Sequence, residues 1–182
     1  RQAETAEACL VIEEQGGILG GRKIEIVIAD DASNPRDSAL AAQRLVSQRV
    51  AAVIGTYGSS VNEPAADIYE ANKMIDIGYG STAVKLTMAK ERKYFFRTCG
   101  RDDVQGEFFS EYAVGTMKAR RIAIMHDNTT FALGVAEEAK RALKQYIDAG
   151  VAELVFYDAI TPGEKDFTPI LTKLRETNPD IW

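Results

Sequence analysis

A single histidine, a single tryptophan and two cysteines stand among 182 residues, and each shortage narrows what the chain can do. Cys9 and Cys99 are too few and too far apart for a disulfide scaffold or a zinc site, and they leave their own redox state open. Basic residues are not in excess: 22 Lys and Arg face 27 Asp and Glu, a formal net charge of -5. That balance gives nucleic acid and anionic membrane surfaces no electrostatic footprint, so no nucleic-acid partner is expected. No uncharged apolar run approaches the roughly 18 residues of a membrane span. The start of the chain also lacks a basic segment followed by an apolar core, as in an exported protein whose signal peptide has been removed. Both ends read as cuts through a longer protein. Arg1 opens onto a helical pattern, and Asn178-Pro179-Asp180 hands over to apolar Ile181-Trp182.

What is present is an alternation of periods. Ala6, Cys9, Leu10 and Ile12 recur at helical spacing until Gly16-Gly17, which predicts a helix over 1–15. Ile24, Ile26 and Ile28 predict a strand over 23–29, ending at the loop-capping pair Asp30-Asp31. Asn34-Pro35 supplies an N-cap and a first-position proline, with Asp37 in the first turn of a helix running to Val46. Further strands are expected over 50–54, 74–77, 94–98, 121–125 and 154–157, and helices over 60–72, 104–118, 132–149 and 167–177. Val50–Ile54 is apolar throughout, as in a sheet covered on both faces. Phe108, Phe109 and Tyr112 stand at helical spacing and are expected in the core. The fold class is α/β, with parallel, doubly wound sheets. The polar run 118–121 is the place for a lobe boundary, giving residues 1–118 and 119–182.

Ligands of open parallel sheets sit beyond the carboxyl ends of the strands. Two glycine- and hydroxyl-rich loops occupy such places: Gly55-Thr56-Tyr57-Gly58-Ser59-Ser60 and Gly78-Tyr79-Gly80-Ser81-Thr82. Glycines let backbone approach a ligand, and helix-start amides with hydroxyls suit a carboxylate or phosphate. Ser60-Val61-Asn62-Glu63 matches a capping box, which leaves Ser59 the freer hydroxyl. Ser59 and Thr82 read either as ligand contacts or as makers of local turns. Tyr57, Tyr79 and Phe131 lie in post-strand loops, where an apolar ligand wall would be built. Neither loop completes a phosphate-binding signature, so no cofactor is assigned. His126 beside Asp127 would need Ser59 or Ser81 within reach to act as a hydrolase, and the Gly-x-Ser-x-Gly elbow is missing. Asp30-Asp31 and Asp102-Asp103 have no His or Glu spaced to complete a metal site. Asp102 follows a strand and can face the same cleft. No catalytic or metal-ligating residue is assigned.

Several stretches are similar, in order along the chain, to one family. They are Gly16-Gly17-Ile18 with 24–31 and Asn34-Pro35; Ile54-Gly55 with Ser59-Ser60 and Pro64-Ala65; Gly80-Ser81-Thr82; Arg97-Thr98 with Asp102 and Gln105-Gly106; and Thr161 to Phe167. These resemble the branched-chain amino-acid-binding proteins of ABC importers, which have the type I periplasmic binding protein fold. The resemblance covers about half of such a protein, most of lobe 1 and the start of lobe 2. It implies a two-lobed, extracytoplasmic receptor, secreted or lipid-anchored. Such a receptor closes on an amino acid or another aliphatic or aromatic carboxylate and delivers it to an ABC permease in the membrane. By that resemblance Ser59 holds the ligand carboxylate, and Gly80, Ser81 and Thr82 bind its amino and carboxylate groups. Phe131 replaces a covering tyrosine, and Asp102 faces the ammonium. Tyr57 and Gly58 depart from the leucine-type loop and leave side-chain selectivity open. The disulfide of well-known relatives would need cysteines at Ser33 and Gly58, so it is absent. A ligand-sensing domain of the same fold in a receptor or regulator is the second reading, and a Ser/His hydrolase the third.

Overall fold

A computed structural model describes residues 13–88 and 91–182. The chain divides into two compact units that meet in sequence at Asp30 and Asp31. In the first, Ile18 and Arg22 exchange backbone hydrogen bonds of 3.0 and 2.8 Å in an antiparallel bridge. Gly17, at φ +79, permits this turn, because the Arg22 carbonyl oxygen lies 2.6 Å from where a β-carbon would stand. The helix expected over 1–15 lies, up to residue 12, outside the described residues. The strand expected over 23–29 does not form: these residues join no ladder, and Ile28 is exposed. β-Branched residues favour a strand only through their packing against a paired neighbour, and without that pairing the pattern has nothing to act on.

The second unit opens with Asp31, whose carboxylate accepts the Ser33 amide at 2.8 Å and so caps the loop as expected. Helix α1, Pro35–Ser47, starts as its sequence requires: Asn34 accepts the Arg36 and Asp37 amides at 2.8 and 3.3 Å. Strand β1 (Ala52–Ile54), helix α2 (Ser59–Ala71), strand β2 (Ile75–Gly78), a 3-10 turn (Val84–Leu86) and strand β3 (Phe95–Arg97) follow. Then come α3 (Asp102–Ser110), a π-helical turn (Glu111–Thr116), β4 (Arg121–His126), α4 (Thr130–Asp148), β5 (Glu153–Ala159) and α5 (Thr168–Glu176). Strands β1, β2 and β3 form one parallel sheet in sequence order, and β4 and β5 form a second. Ile181 bridges β4 on its other edge, with the Ala123 amide 2.9 Å from the Ile181 carbonyl, so the apolar end of the chain does enter a sheet.

One face of the first sheet is dry. Phe95 clusters with Ala66, Ala83 and Leu86 beneath α2 and the 3-10 turn. The other face carries Ile54, which is 77% exposed, and Phe96, so β1 is not covered on both sides as its composition suggests. The second core gathers Ala113, Val114, Ile122, Ile124, Ala136, Ala139 and Leu143, with Phe109 against its edge. Helix α3 reaches this core through its small residues. Ser110 Oγ shares its proton between the Gly106 and Ala139 carbonyls, at 2.8 and 3.2 Å. That close approach turns Phe108 and Tyr112 outward, and Phe108 is 68% exposed, contrary to the expectation that both are core. α3 and the π-helical turn thus belong to the packing unit built on the second sheet, as α2 belongs to that on the first.

Gly106 is the tightest point of that contact. A β-carbon there would stand 2.5 Å from the Glu138 carbonyl carbon and 2.6 Å from the Ala139 amide nitrogen, both backbone atoms that cannot swing aside. Gly106→Val is therefore expected to force α3 and α4 apart and destabilise the protein by about 2–3 kcal/mol. Urea denaturation measures it; a variant as stable as the parent would mean that the helices separate freely.

Candidate functional site

The loops after β1 and β2 converge. Gly58, at φ 93, is the N-cap of α2 and contributes no side-chain cap, so the capping box expected at Ser60 and Glu63 is not made. The helix starts two residues earlier than that motif requires, at Ser59 instead of Val61. Ser59 is buried, and its Oγ accepts the Ala83 amide of the second loop at 3.1 Å. Ser81 is buried as well; its Oγ donates to the Thr56 carbonyl at 3.0 Å and accepts from Asn62 Nδ2 at 3.0 Å. Tyr57 and Gly80 bridge as parallel backbone, and a Tyr57 ring carbon lies 2.5 Å from where a Gly80 β-carbon would stand. Only glycine lets that ring lie flat on the second loop. The Tyr57 and Tyr79 rings follow at a centroid distance of 6.2 Å.

Arg97, at the end of β3, anchors the assembly from below. Its Nη1 donates to the Ser81 and Ala83 carbonyls, each at 3.1 Å, and Nη2 to Thr87 Oγ1 at 2.8 Å. Burial lowers its pKa from the usual guanidinium value, yet a guanidinium keeps its charge in proteins. Sequence reasoning singled out neither this role of Arg97 nor Asn62. The legible signal for Arg97 is a lone cation closing the apolar strand Phe95-Phe96.

Thr82 and Asp102 face one another. The Asp102 amide donates to the Thr82 carbonyl at 3.1 Å, and Asp102 is fully buried at the start of α3. Its Oδ1 accepts from Gln105 Nε2 at 3.1 Å, and its Oδ2 lies 3.0 Å from where a Gly134 β-carbon would stand. Neither Asp102 Oδ2 nor Thr82 Oγ1 meets a well-formed hydrogen-bond partner, which is unusual for buried polar atoms. Burial pushes the Asp102 carboxyl above its ordinary value, while the nearby Thr82 hydroxyl and the Arg97 charge pull it back.

Phe131 lies in the first turn of α4 and is 44% exposed. Its neighbour Thr130 donates its amide to Ser60 Oγ at 3.1 Å, which brings the start of α4 against the start of α2. The structure thus assembles Tyr57, Gly58, Ser59, Gly80, Ser81 and Thr82 into one two-loop body. Asp102 joins through Thr82, and Phe131 stands beside the Ser60 contact. The Ser59 and Ser81 hydroxyls stitch the loops together, while Thr56 Oγ1 and Thr82 Oγ1 are buried without a well-formed partner. His126 Nδ1 accepts the Asn128 amide at 3.2 Å. No hydrogen bond among the described residues joins Ser59 or Ser81 to His126. Among the described residues, no group of three or more His, Cys, Asp and Glu could hold a metal ion, and no helix is long and apolar enough to cross a membrane.

Parallel sheets whose post-strand loops gather hydroxyls, glycines and helix starts form an α/β architecture whose loops lie where such sheets bind ligands. The chain belongs to the periplasmic binding protein family, whose model matches residues 5–182. It is 38% identical to an amino acid binding protein of Pseudomonas aeruginosa over 97% of its own length and 46% of that protein's. It is 37% identical to the leucine-specific-binding protein of Salmonella typhimurium, over 93% of this chain and 44% of the relative. The branched-chain amino acid transporter substrate binding protein LivJ of Streptococcus pneumoniae, solved in complex with isoleucine, superimposes with a TM-score of 0.82 at 27% identity. That match covers 99% of this chain and 50% of LivJ. The chain spans about half the length of the relatives it matches, and its architecture is that of the type I periplasmic binding fold.

Proposed function

We propose that this chain forms the larger part of one lobe and the opening part of a second in an extracytoplasmic solute-binding protein. It captures an amino acid or a related small carboxylate between the lobes and delivers it to the permease of an ABC importer. The observation that carries this reading is the two-loop body itself. Ser81 and Arg97 hold the second loop against the start of α2, leaving the Thr82 hydroxyl buried without a well-formed partner beside the Asp102 carboxylate. A ligand carboxylate is met here by the helix-start amides after Gly58 and by the Thr82 hydroxyl, and a ligand ammonium by Asp102. Charge-assisted hydrogen bonds of this kind contribute about 1.5–3 kcal/mol each. Tyr57 and Phe131, both exposed, supply apolar walls for the ligand's side chain. The relatives support the ligand class, since they are described as binding amino acids, leucine or isoleucine.

The test is a thermal-shift screen of the complete protein against aliphatic amino acids, aromatic amino acids and benzoate, because a ligand that binds only the folded state must raise the melting temperature. A selective rise with an amino acid is expected. Thr82→Val should then weaken that ligand by roughly 10- to 100-fold, the equivalent of about 1.4–2.7 kcal/mol. A flat screen would remove the ligand class; an unchanged affinity in the variant would remove Thr82 from the site.

A further inference from the structure

Ser60 does not cap its own helix; it caps another one. The Thr130 amide is the first of α4, one of the four N–H groups that a helix leaves without an internal partner. The N-cap of that helix, Thr129, serves the Ala132 amide instead. The acceptor for Thr130 comes from 70 residues away: Ser60 Oγ at 3.1 Å, on the first turn of α2. Glu63, one turn further along α2, reinforces the contact by accepting from Thr130 Oγ1 at 3.4 Å and from Lys85 Nζ at 2.7 Å. Helix α2 packs on the first sheet and α4 on the second, so this bridge joins the two packing units without using the chain that connects them. It borders a groove of about 580 Å³ lined by Lys85, Thr130, Leu133 and Glu137.

We propose that Ser60, Glu63 and Thr130 form an inter-lobe latch that sets how often the two lobes are closed, and thereby tunes ligand affinity without touching the ligand. This rests on the solute-binding reading. Separating the lobes leaves the Thr130 amide to water; bringing them together completes the start of α4. A protein that is closed for a smaller fraction of the time binds its ligand more weakly by that fraction.

Two substitutions approach the latch from opposite sides. Ser60→Ala removes the acceptor. Thr130→Pro removes the donated N–H at the one helical position where proline is favoured. In the complete protein, calorimetric titration with L-leucine should give each single variant roughly 3- to 10-fold weaker affinity. The double variant should be no weaker than either, because both remove one interaction. Small-angle scattering without ligand should give a larger radius of gyration for each variant, and Ser60→Thr should restore both readings. Additive losses, or parental affinity and radius in both single variants, would overturn the latch. If the parent responds to neither an amino acid nor benzoate, the solute-binding reading fails, and the latch is still decided by the radius of gyration alone.

Discussion

Replacing Arg97 with methionine is expected to abolish measurable ligand binding and to cost the fold about 2–4 kcal/mol. Both effects trace to one side chain with three acceptors. Its guanidinium reaches the Ser81 and Ala83 carbonyls and the Thr87 hydroxyl, and it stacks 5.5 Å from the Phe95 ring centroid. Methionine fills similar volume and preserves the contact with Phe95, yet leaves two carbonyls and a hydroxyl without their charged donor. The loss spreads through the hydrogen bonds that hold the second loop. The Ala83 carbonyl belongs to the residue whose amide is held by Ser59, and Ser81 is the residue that fastens the second loop to Thr56 and Asn62. Freeing residues 81–87 therefore displaces Thr82, and a misplaced hydroxyl cannot complete a carboxylate site. Lysine is no remedy, since a compact ammonium cannot span a planar fork's acceptors. Arg97→Lys should recover part of the stability and little of the binding. Calorimetric titration with the ligand found by the screen, beside urea denaturation, separates the two effects. Parental affinity in Arg97→Met would show that the second loop holds its shape unaided.

Much of this was legible from the residues. The strand–helix alternation predicts parallel sheets, Asn34-Pro35 starts a helix, and the glycine- and hydroxyl-rich loops fall where parallel sheets bind ligands. Each of these signals is local: a period, a cap or a turn. The misreadings depend on what comes from far away in sequence. Residues 23–29 carry the β-branched pattern of a strand, and pattern alone does not supply a partner. Phe108 and Tyr112 have the right spacing for a core stripe, but the helix packs through Gly106, Ser110 and Ala113, because small residues allow closer approach and more contact. Ser60 matches a capping box and spends its hydroxyl on α4 instead. The site divides in the same way. Its loops were identifiable, whereas the use of Ser59 and Ser81 as stitches between them, and of Arg97 as their anchor, is a property of distances that no spacing rule contains.

The pH dependence of stability should be dominated between about pH 4 and 7 by Asp76, a residue outside the ligand site. Asp76 stands on the central strand β2 in register with Val53 on one side and Phe95 on the other, so its side chain shares a face with two residues that offer no hydrogen bond. It is 1% exposed, and neither carboxylate oxygen has a partner. Arg92 lies close enough to favour the ionised form, but its terminal nitrogens are committed to the Leu86 carbonyl and to Asp67. Burial wins and pushes the Asp76 carboxyl from 3.8 to about 7. The buried Tyr69 hydroxyl is raised as well, by burial first and by the Asp76 charge next. The folded protein thus holds a proton between pH 3.8 and about 7 that the unfolded chain has released, and stability falls as pH rises through that window. Carboxylates held low by hydrogen bonds, such as Asp103, Asp127 and Asp180, have the opposite sign: their contribution is lost only as pH falls below the ordinary carboxylate range. Asp76→Asn keeps the shape and removes the ionisation. Urea denaturation at pH 5 and pH 8 should show the parent losing on the order of 3 kcal/mol across that interval and the variant losing little of it. Parallel profiles for the two proteins would mean that Asp76 is solvated or paired in solution.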